Sequence, residues 1–286
     1  MAWNICIGEQ VQSKRNCDSY KYHIIDNPFH YWIADPFLQI ENGKTYIFAE
    51  GFNLITRKGE ILLYDVNKKK WTVVIRENKH MSFPYVFYEN GKYYMIPETE
   101  GKNGVYLYRA TCFPYKWIIE KEIVHDRPLC DSVFVDYEDG RILISYNCHT
   151  VPNQLEIFDV DKNWNTSMRC IIKDYDNALR PAGAVQTING ECYLYTQDCS
   201  KQYGGGIIKN TLLVSDSSTI KIVPINKTDV SRVIKSEEYI GIHTFNTSDN
   251  GLAVIDIKSK RFSFRFLCKK IFKKILDQSK FRLVTV

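Results

Sequence analysis

Five times along this 286-residue chain a short polar motif opens a run of β-forming residues that soon reaches an Asn-Gly or Asp-Gly turn. The copies are Ala34-Asp35-Pro36-Phe37 before Asn42-Gly43, Ser82-Phe83-Pro84-Tyr85 before Asn90-Gly91, and Cys130-Asp131-Ser132-Val133 before Asp139-Gly140. Arg180-Pro181-Ala182-Gly183 before Asn189-Gly190 and Gly241-Ile242-His243-Thr244 before Asn250-Gly251 complete the set. The turn glycines are spaced by 48, 49, 50 and 61 residues. A strand, a tight turn and a second strand repeated at that period cannot bury themselves singly, and the arrangement that buries them together is a ring of blades.

Each turn is followed by an aromatic or β-branched second strand, such as Thr45-Tyr46-Ile47-Phe48 or Tyr193-Leu194-Tyr195-Thr196. A third strand recurs, as in Ile61-Leu62-Leu63-Tyr64 and Leu155-Glu156-Ile157-Phe158, and an outer fourth follows in several copies, as in Trp71-Thr72-Val73-Val74. The expected fold is therefore all-β, a five-bladed β-propeller. The fifth copy runs short after Ile257, while Trp3-Asn4-Ile5-Cys6-Ile7 has no blade of its own. That N-terminal strand is predicted to complete blade five and leave no open seam. The propeller then occupies residues 1–262 and a tail occupies 263–286, with no length left for a second globular domain.

The formal charge of +5 conceals two parts. Residues 257–286 hold ten Lys/Arg against one acid, whereas the rest of the chain holds 28 basic and 32 acidic residues. The propeller is mildly acidic, which excludes nucleic acid as its partner. In the tail, Phe264, Leu267, Cys268, Ile271, Phe272, Ile275 and Leu276 recur at helical spacing, with Lys269, Lys270, Lys273 and Lys274 opposite. This predicts a C-terminal basic amphipathic helix that anchors the chain on an anionic membrane surface, or, in the plainer alternative, packs on the propeller with a solvated Lys face. Nine Cys without a C-x-x-C pair, and a start without a charged and then apolar leader, point to a cytoplasmic protein on the inner face of the membrane.

In a propeller the innermost strands line one channel, so the five blade-opening motifs converge at one end of it. Asp35, Ser82, Asp131, Arg180 and His243 are the side chains expected to meet there, with Glu50, Glu98 and Asp198 as further substrate-binding candidates. His30, His80, His125 and His149 read as surface or loop residues. No cofactor is expected. A metal among Asp35, Asp131 and His243 is chemically open, but no H-x-x-x-H or paired-Cys spacing supports one.

Ala34-Asp35-Pro36 and Asp131-Ser132-Val133-Phe134 resemble the openings of blades one and three in five-bladed glycosidases of the arabinanase, levansucrase and invertase type. There the first Asp is base or nucleophile and the second orients substrate or tunes the acid. The general acid of that superfamily, a Glu near the start of blade four, is replaced here by Leu179-Arg180-Pro181-Ala182-Gly183. A nearer resemblance is to the propeller module at the N-terminus of plant glucosamine inositolphosphorylceramide transferases and in bacterial surface-glycan proteins. It is carried by Trp3-Asn4-Ile5-Cys6-Ile7, Ser82-Phe83-Pro84-Tyr85-Val86-Phe87, Tyr94-Met95-Ile96-Pro97-Glu98, Gln197-Asp198, Tyr203-Gly204, His243-Thr244 and Val254-Ile255-Asp256 besides the motifs above.

An Arg in place of the acid changes the expected chemistry. A sugar alkoxide leaves only with a proton, whereas phosphate leaves as a stabilised anion that an Arg fork can hold. The residues thus favour glycosyl transfer from a phosphate-activated sugar, such as a nucleotide sugar, in surface-glycan or glycolipid synthesis, with Asp35, Asp131 and Arg180 catalytic. A glycoside hydrolase using Glu98 or Glu50 as acid is the second reading, and a noncatalytic glycan-binding propeller serving a partner glycosyltransferase or formyltransferase the third.

Overall fold

Every blade takes four strands because a blade buries both faces of its middle strands against its neighbours, while its outermost strand meets water. The computed structural model describes residues 2–11, 19–100, 103–138, 140–214, 220–234 and 236–260. Two strands, β1 (Ala2–Val11) and β2 (Ser19–Ile24), come first. Blade one follows as β3 (Tyr31–Glu41), β4 (Lys44–Asn53), β5 (Lys58–Asp65) and β6 (Lys70–Ile75). Blade two is β7 (Met81–Glu89), β8 (Lys92–Thr99), β9 (Gly104–Cys112) and β10 (Lys116–His125). Blade three is β11 (Cys130–Tyr137), β12 (Gly140–Asn147), β13 (Asn153–Val160) and β14 (Thr166–Asp174). Blade four is β15 (Gln186–Ile188), β16 (Glu191–Gln197), β17 (Ile207–Val214) and β18 (Ile220–Thr228).

Blade five has another construction. After a single-turn helix α1 (Val230–Val233), its inner edge is split into β19 (Tyr239–Gly241) and β20 (Phe245–Thr247), both paired with β21 (Leu252–Ser259). The third and fourth strands come from the other end of the chain: β1 pairs antiparallel with β21, Ile5 opposite Asp256, and β2 pairs with β1. Two N-terminal strands, not one, lie in this sheet. The long last repeat step has a local cause, because α1, capped by Asp229 accepting from the backbone N–H of Ser231 and Arg232, intervenes before the inner edge.

Five apolar clusters fill the gaps between neighbouring blades. Phe48, Leu63 and Met95 lie between blades one and two, and Leu107, Phe134 and Leu143 between two and three. Ile144, Leu194 and Leu212 join three to four, while Ile207, Ala182 and Ile255 join four to five. Ile5, Ile33 and Val254 close the ring between five and one. The turn residues Asn42-Gly43, Asn90-Gly91 and Asn189-Gly190 all have positive φ, the geometry that matches a two-residue hairpin loop to the twist of its strands. All seven cysteines among the described residues are free thiols. The amphipathic helix expected over 263–286 lies outside the described residues.

Candidate active site

The first three inner strands begin with the same defect. Register slips between Ala34 and Phe37 in β3, between Ser82 and Tyr85 in β7, and between Cys130 and Val133 in β11. At each bulge one non-glycine residue is left-handed: Asp35 (φ 49), Phe83 (φ 45) and Asp131 (φ 49). Such a residue costs roughly 1–2 kcal/mol, so it persists only where its surroundings hold it. Here they do, since the Asp35 N–H donates to Asp256 Oδ2 (3.1 Å) and the Phe83 N–H donates to Asp35 Oδ2 (3.2 Å). In β3 the bulge re-aims Asp35 toward the channel mouth, whereas in β7 it turns Phe83 into the core against Phe37.

Blade five supplies the centre of this network. The break between β19 and β20 points the His243 and Thr244 N–H groups at Asp256 Oδ1 (2.9 and 3.1 Å). The His243 ring lies between two carboxylates, with Nδ1 2.6 Å from Asp256 Oδ2 and Nε2 3.3 Å from Asp35 Oδ1, while Thr244 Oγ1 donates to Asp35 Oδ1 (2.9 Å). Burial opposes a charged imidazole, but Asp256 and Asp35 outweigh it and hold the His243 pKa above its usual value. Burial raises Asp35 to about 6, against the opposing pull of His243. Donor atoms of Asp35, His243 and Asp256 lie within 4.8 Å of one another, a set able to hold a cation only if the imidazole gives up its proton.

Blades two, three and four supply the second half. Arg180 Nε donates to Asp131 Oδ2 (2.5 Å), Gln197 Nε2 donates to the same oxygen (3.0 Å), and Arg180 Nη2 reaches Glu98 Oε2 (3.5 Å). Burial works against the guanidinium charge and Asp131 more than compensates, so Arg180 stays cationic. Glu98 is raised well above the ordinary carboxylate range by burial and by the Asp131 charge, with Arg180 opposing. Glu50 is raised likewise by burial and by Asp35. Two carboxyls held well above the ordinary carboxylate range and two ion-paired clusters therefore share one site.

These groups line a cavity of about 380 Å³ walled by aromatic rings. On one side Trp3 stacks on His243 (4.2 Å between centroids), with Tyr203 edge-on to the same ring; on the other, Trp32 stacks on Phe52 (5.6 Å). Among the residues expected at the site, Asp35, Glu50, Ser82, Glu98, Arg180 and His243 line the cavity. Asp131 is buried behind Arg180, acting on the cavity through it. Asp198 is not brought there: it is buried where the β16–β17 connection turns, bound by Ser200 Oγ and paired with Lys227.

His80 lies in the loop before β7, within the expectation of a surface or loop residue, but that loop borders the site. The side chain lines the cavity, its Nδ1 accepting from the Gly59 N–H (2.8 Å) and its Nε2 lying 3.3 Å from Glu50 Oε1. Trp3, Trp32, Phe52, Tyr203 and Asp256 were not foreseen as site residues. Asp256 had a visible signal, a lone acid between the apolar run Ala253-Val254-Ile255 and Ile257, which is costly unless the carboxylate is fully bonded.

Solved structures with this architecture include an arabinofuranosidase and a fructofuranosidase. An α-L-arabinofuranosidase from Lactobacillus brevis superposes with a TM-score of 0.57 at 14% identity, covering 83% of this chain and 87% of its own. A β-fructofuranosidase from Bombyx mori gives 0.58 at 9% identity, covering 82% and 58%. At such identities the likeness is one of fold. Sequence relatives are nearer: glucosamine inositolphosphorylceramide transferase 1 of Oryza sativa subsp. indica is 29% identical over 209 residues, and that of Arabidopsis thaliana 33% over 188. These alignments take in 68% and 60% of this chain but only 28% and 24% of the relatives' length. Residues 17–246 match the family described as glucosamine inositolphosphorylceramide transferase 1, N-terminal. With that match running from β2 through blades one to four to the inner edge of blade five, the chain belongs to the family of this transferase's N-terminal module.

Proposed function

We propose that the cavity is a sugar site and that the chain transfers a glycosyl group from a phosphate-activated donor in the assembly of a cell-surface glycan or glycolipid. The observation that carries this is the pairing of Asp35 and Arg180 in one cavity with two carboxyls of raised pKa between aromatic walls. Aromatic faces accept the apolar C–H face of a sugar ring, while Glu50 and Glu98 donate to its hydroxyls. Asp35, with a pKa of about 6, is poised to take the proton of an acceptor hydroxyl near neutral pH. Arg180, its orientation set by Asp131, is the cation that holds a departing phosphate. The relatives' name, glucosamine inositolphosphorylceramide transferase 1, agrees with this chemistry.

Binding measured by thermal shift, with nucleotide sugars, sugar phosphates and neutral oligosaccharides, tests the reading. A donor at about 100 times its Kd stabilises the fold by about 2.7 kcal/mol. Arg180→Lys keeps the charge beside Asp131 and loses the fork, so the phosphorylated ligand should bind at least about tenfold more weakly. Stabilisation by neutral glycans alone, equal in the variant, rules transfer out. The second reading, glycoside hydrolysis, is favoured by the raised pKa of Glu98 and Glu50, either of which can protonate a leaving oxygen. Release of sugar from a neutral glycan, abolished in Glu98→Gln or Glu50→Gln, would establish it.

A further inference from the structure

The cavity opens on one end of the ring, and so do all loops that precede an inner strand or join a second strand to a third. Four of these loops carry the four most exposed large apolar side chains among the described residues: Phe29 (78%), Ile55 (69%), Val151 (101%) and Tyr175 (73%). The next, Tyr88 at 59%, lies near the opposite end of its strand. Four of four on the site-bearing end is a pattern, where scattered single residues would not be.

The loops are built to present these side chains. The Leu54 N–H donates to His30 O (2.8 Å), tying the Ile55 loop to the Phe29 loop in blade one. Across the cavity, Asn153 Nδ2 donates to Asn177 Oδ1 (2.7 Å), tying the Val151 loop to the Tyr175 loop, and the Asp174 carboxylate holds the Ala178 and Leu179 N–H groups. Two locked apolar pairs thus flank the cavity mouth, one on blade one and one on blades three and four.

The described chain also ends on this face. Ser259 stands opposite Ala2 at the site end of β21, and the Lys260 N–H donates to Glu238 O. The sequence that continues from there, 261–286, holds eight Lys/Arg and one acid. A protein partner would want a contiguous apolar core, whereas separate tips around a polar mouth suit a fluid apolar phase in which each is buried independently.

We propose that the site-bearing face docks on an anionic lipid bilayer. Phe29, Ile55, Val151 and Tyr175 enter the headgroup boundary, residues 261–286 supply the positive charge, and the cavity opens onto the membrane surface. If the cavity takes a sugar, as proposed above, that sugar is the head of a lipid or a glycan held beside one.

Co-sedimentation of the full chain with vesicles tests the docking without any sugar, so it stands or falls apart from the reaction. The full chain should pellet with phosphatidylcholine–phosphatidylserine vesicles and less with phosphatidylcholine alone. The fourfold variant Phe29→Ser, Ile55→Ser, Val151→Ser, Tyr175→Ser should keep its melting temperature and partition at least about tenfold more weakly. Tyr88→Ser with Leu213→Ser, at the far end of the strands, should bind like the parent. Phe29→Trp should blue-shift in emission on adding anionic vesicles. A parent that stays in the supernatant, a fourfold variant that pellets fully, or an unshifted Trp each overturns the proposal. So does self-association of the lipid-free parent that the fourfold variant abolishes, which would give these tips to a second copy.

Discussion

Glu50 shows how one side chain's setting decides its chemistry. It sits near the end of β4, beside His80 and in the field of Asp35 and Glu98, and burial holds its pKa well above 4.5. Because the folded value exceeds the unfolded one, its contribution to stability is complete at low pH and is lost as pH rises through the folded pKa. Glu50→Gln should therefore melt with the parent near pH 4 and above it at alkaline pH, by up to about 1.4 kcal/mol per unit of the shift. Thermal melts of both proteins across that range check this, and parallel profiles would mean that the carboxyl titrates alike in the folded and unfolded chain. At this scale the sequence was a partial guide. Asp35, Arg180 and His243 were legible because they fall in the repeated motif, but His80 and Trp3 were not, since neither occupies that position in its repeat.

Among the elements, the hairpin turns and the blade-four opening use glycine for different reasons. Gly91 (φ +78) has nothing within 4 Å of a built Cβ, so it is needed only for its dihedral. Gly183 (φ +145) would place a Cβ 2.3 Å from Phe245 O and 2.8 Å from Asn246 Oδ1, where blade four meets blade five. Gly91→Ala should cost about 1 kcal/mol, the strain alone, while Gly183→Ala should cost about 3 kcal/mol or more. Urea melts of the two variants measure the difference; equal losses would show that the blade contact yields freely. The strands themselves were legible from their alternation and turns, because these are local. The bulges at Asp35, Phe83 and Asp131 were not, since the bonds that hold them open come from other blades.

For the whole molecule the decisive feature is the joint between the chain's two ends. Ile5 is fully buried in the cluster between blades five and one, so the ring depends on β1 as a keystone. Ile5→Ala should cost about 2–5 kcal/mol, and the loss should move the unfolding of every blade together. Circular dichroism for the sheets and tryptophan emission for the cavity, followed in one urea titration, test this; two separated transitions would show that blade five comes away alone. The same joint builds the site, because β1 carries Trp3 onto His243 and β21 carries Asp256 beneath it.

The sequence by itself determined the blade number, the strand order within blades one to four, and the residues that open each inner strand. All of these follow from periodicity and turn chemistry that act over a few residues. Tertiary structure alone decided which of those residues share a cavity, because that depends on how each bulge is bonded to the next blade. It sent Asp198 to a loop and left Asp131 behind Arg180, although the sequence offers both as site candidates. It also set the charge states, since a carboxyl such as Glu98 is neutral or ionised according to its burial and its neighbours, and both are created by closing the ring.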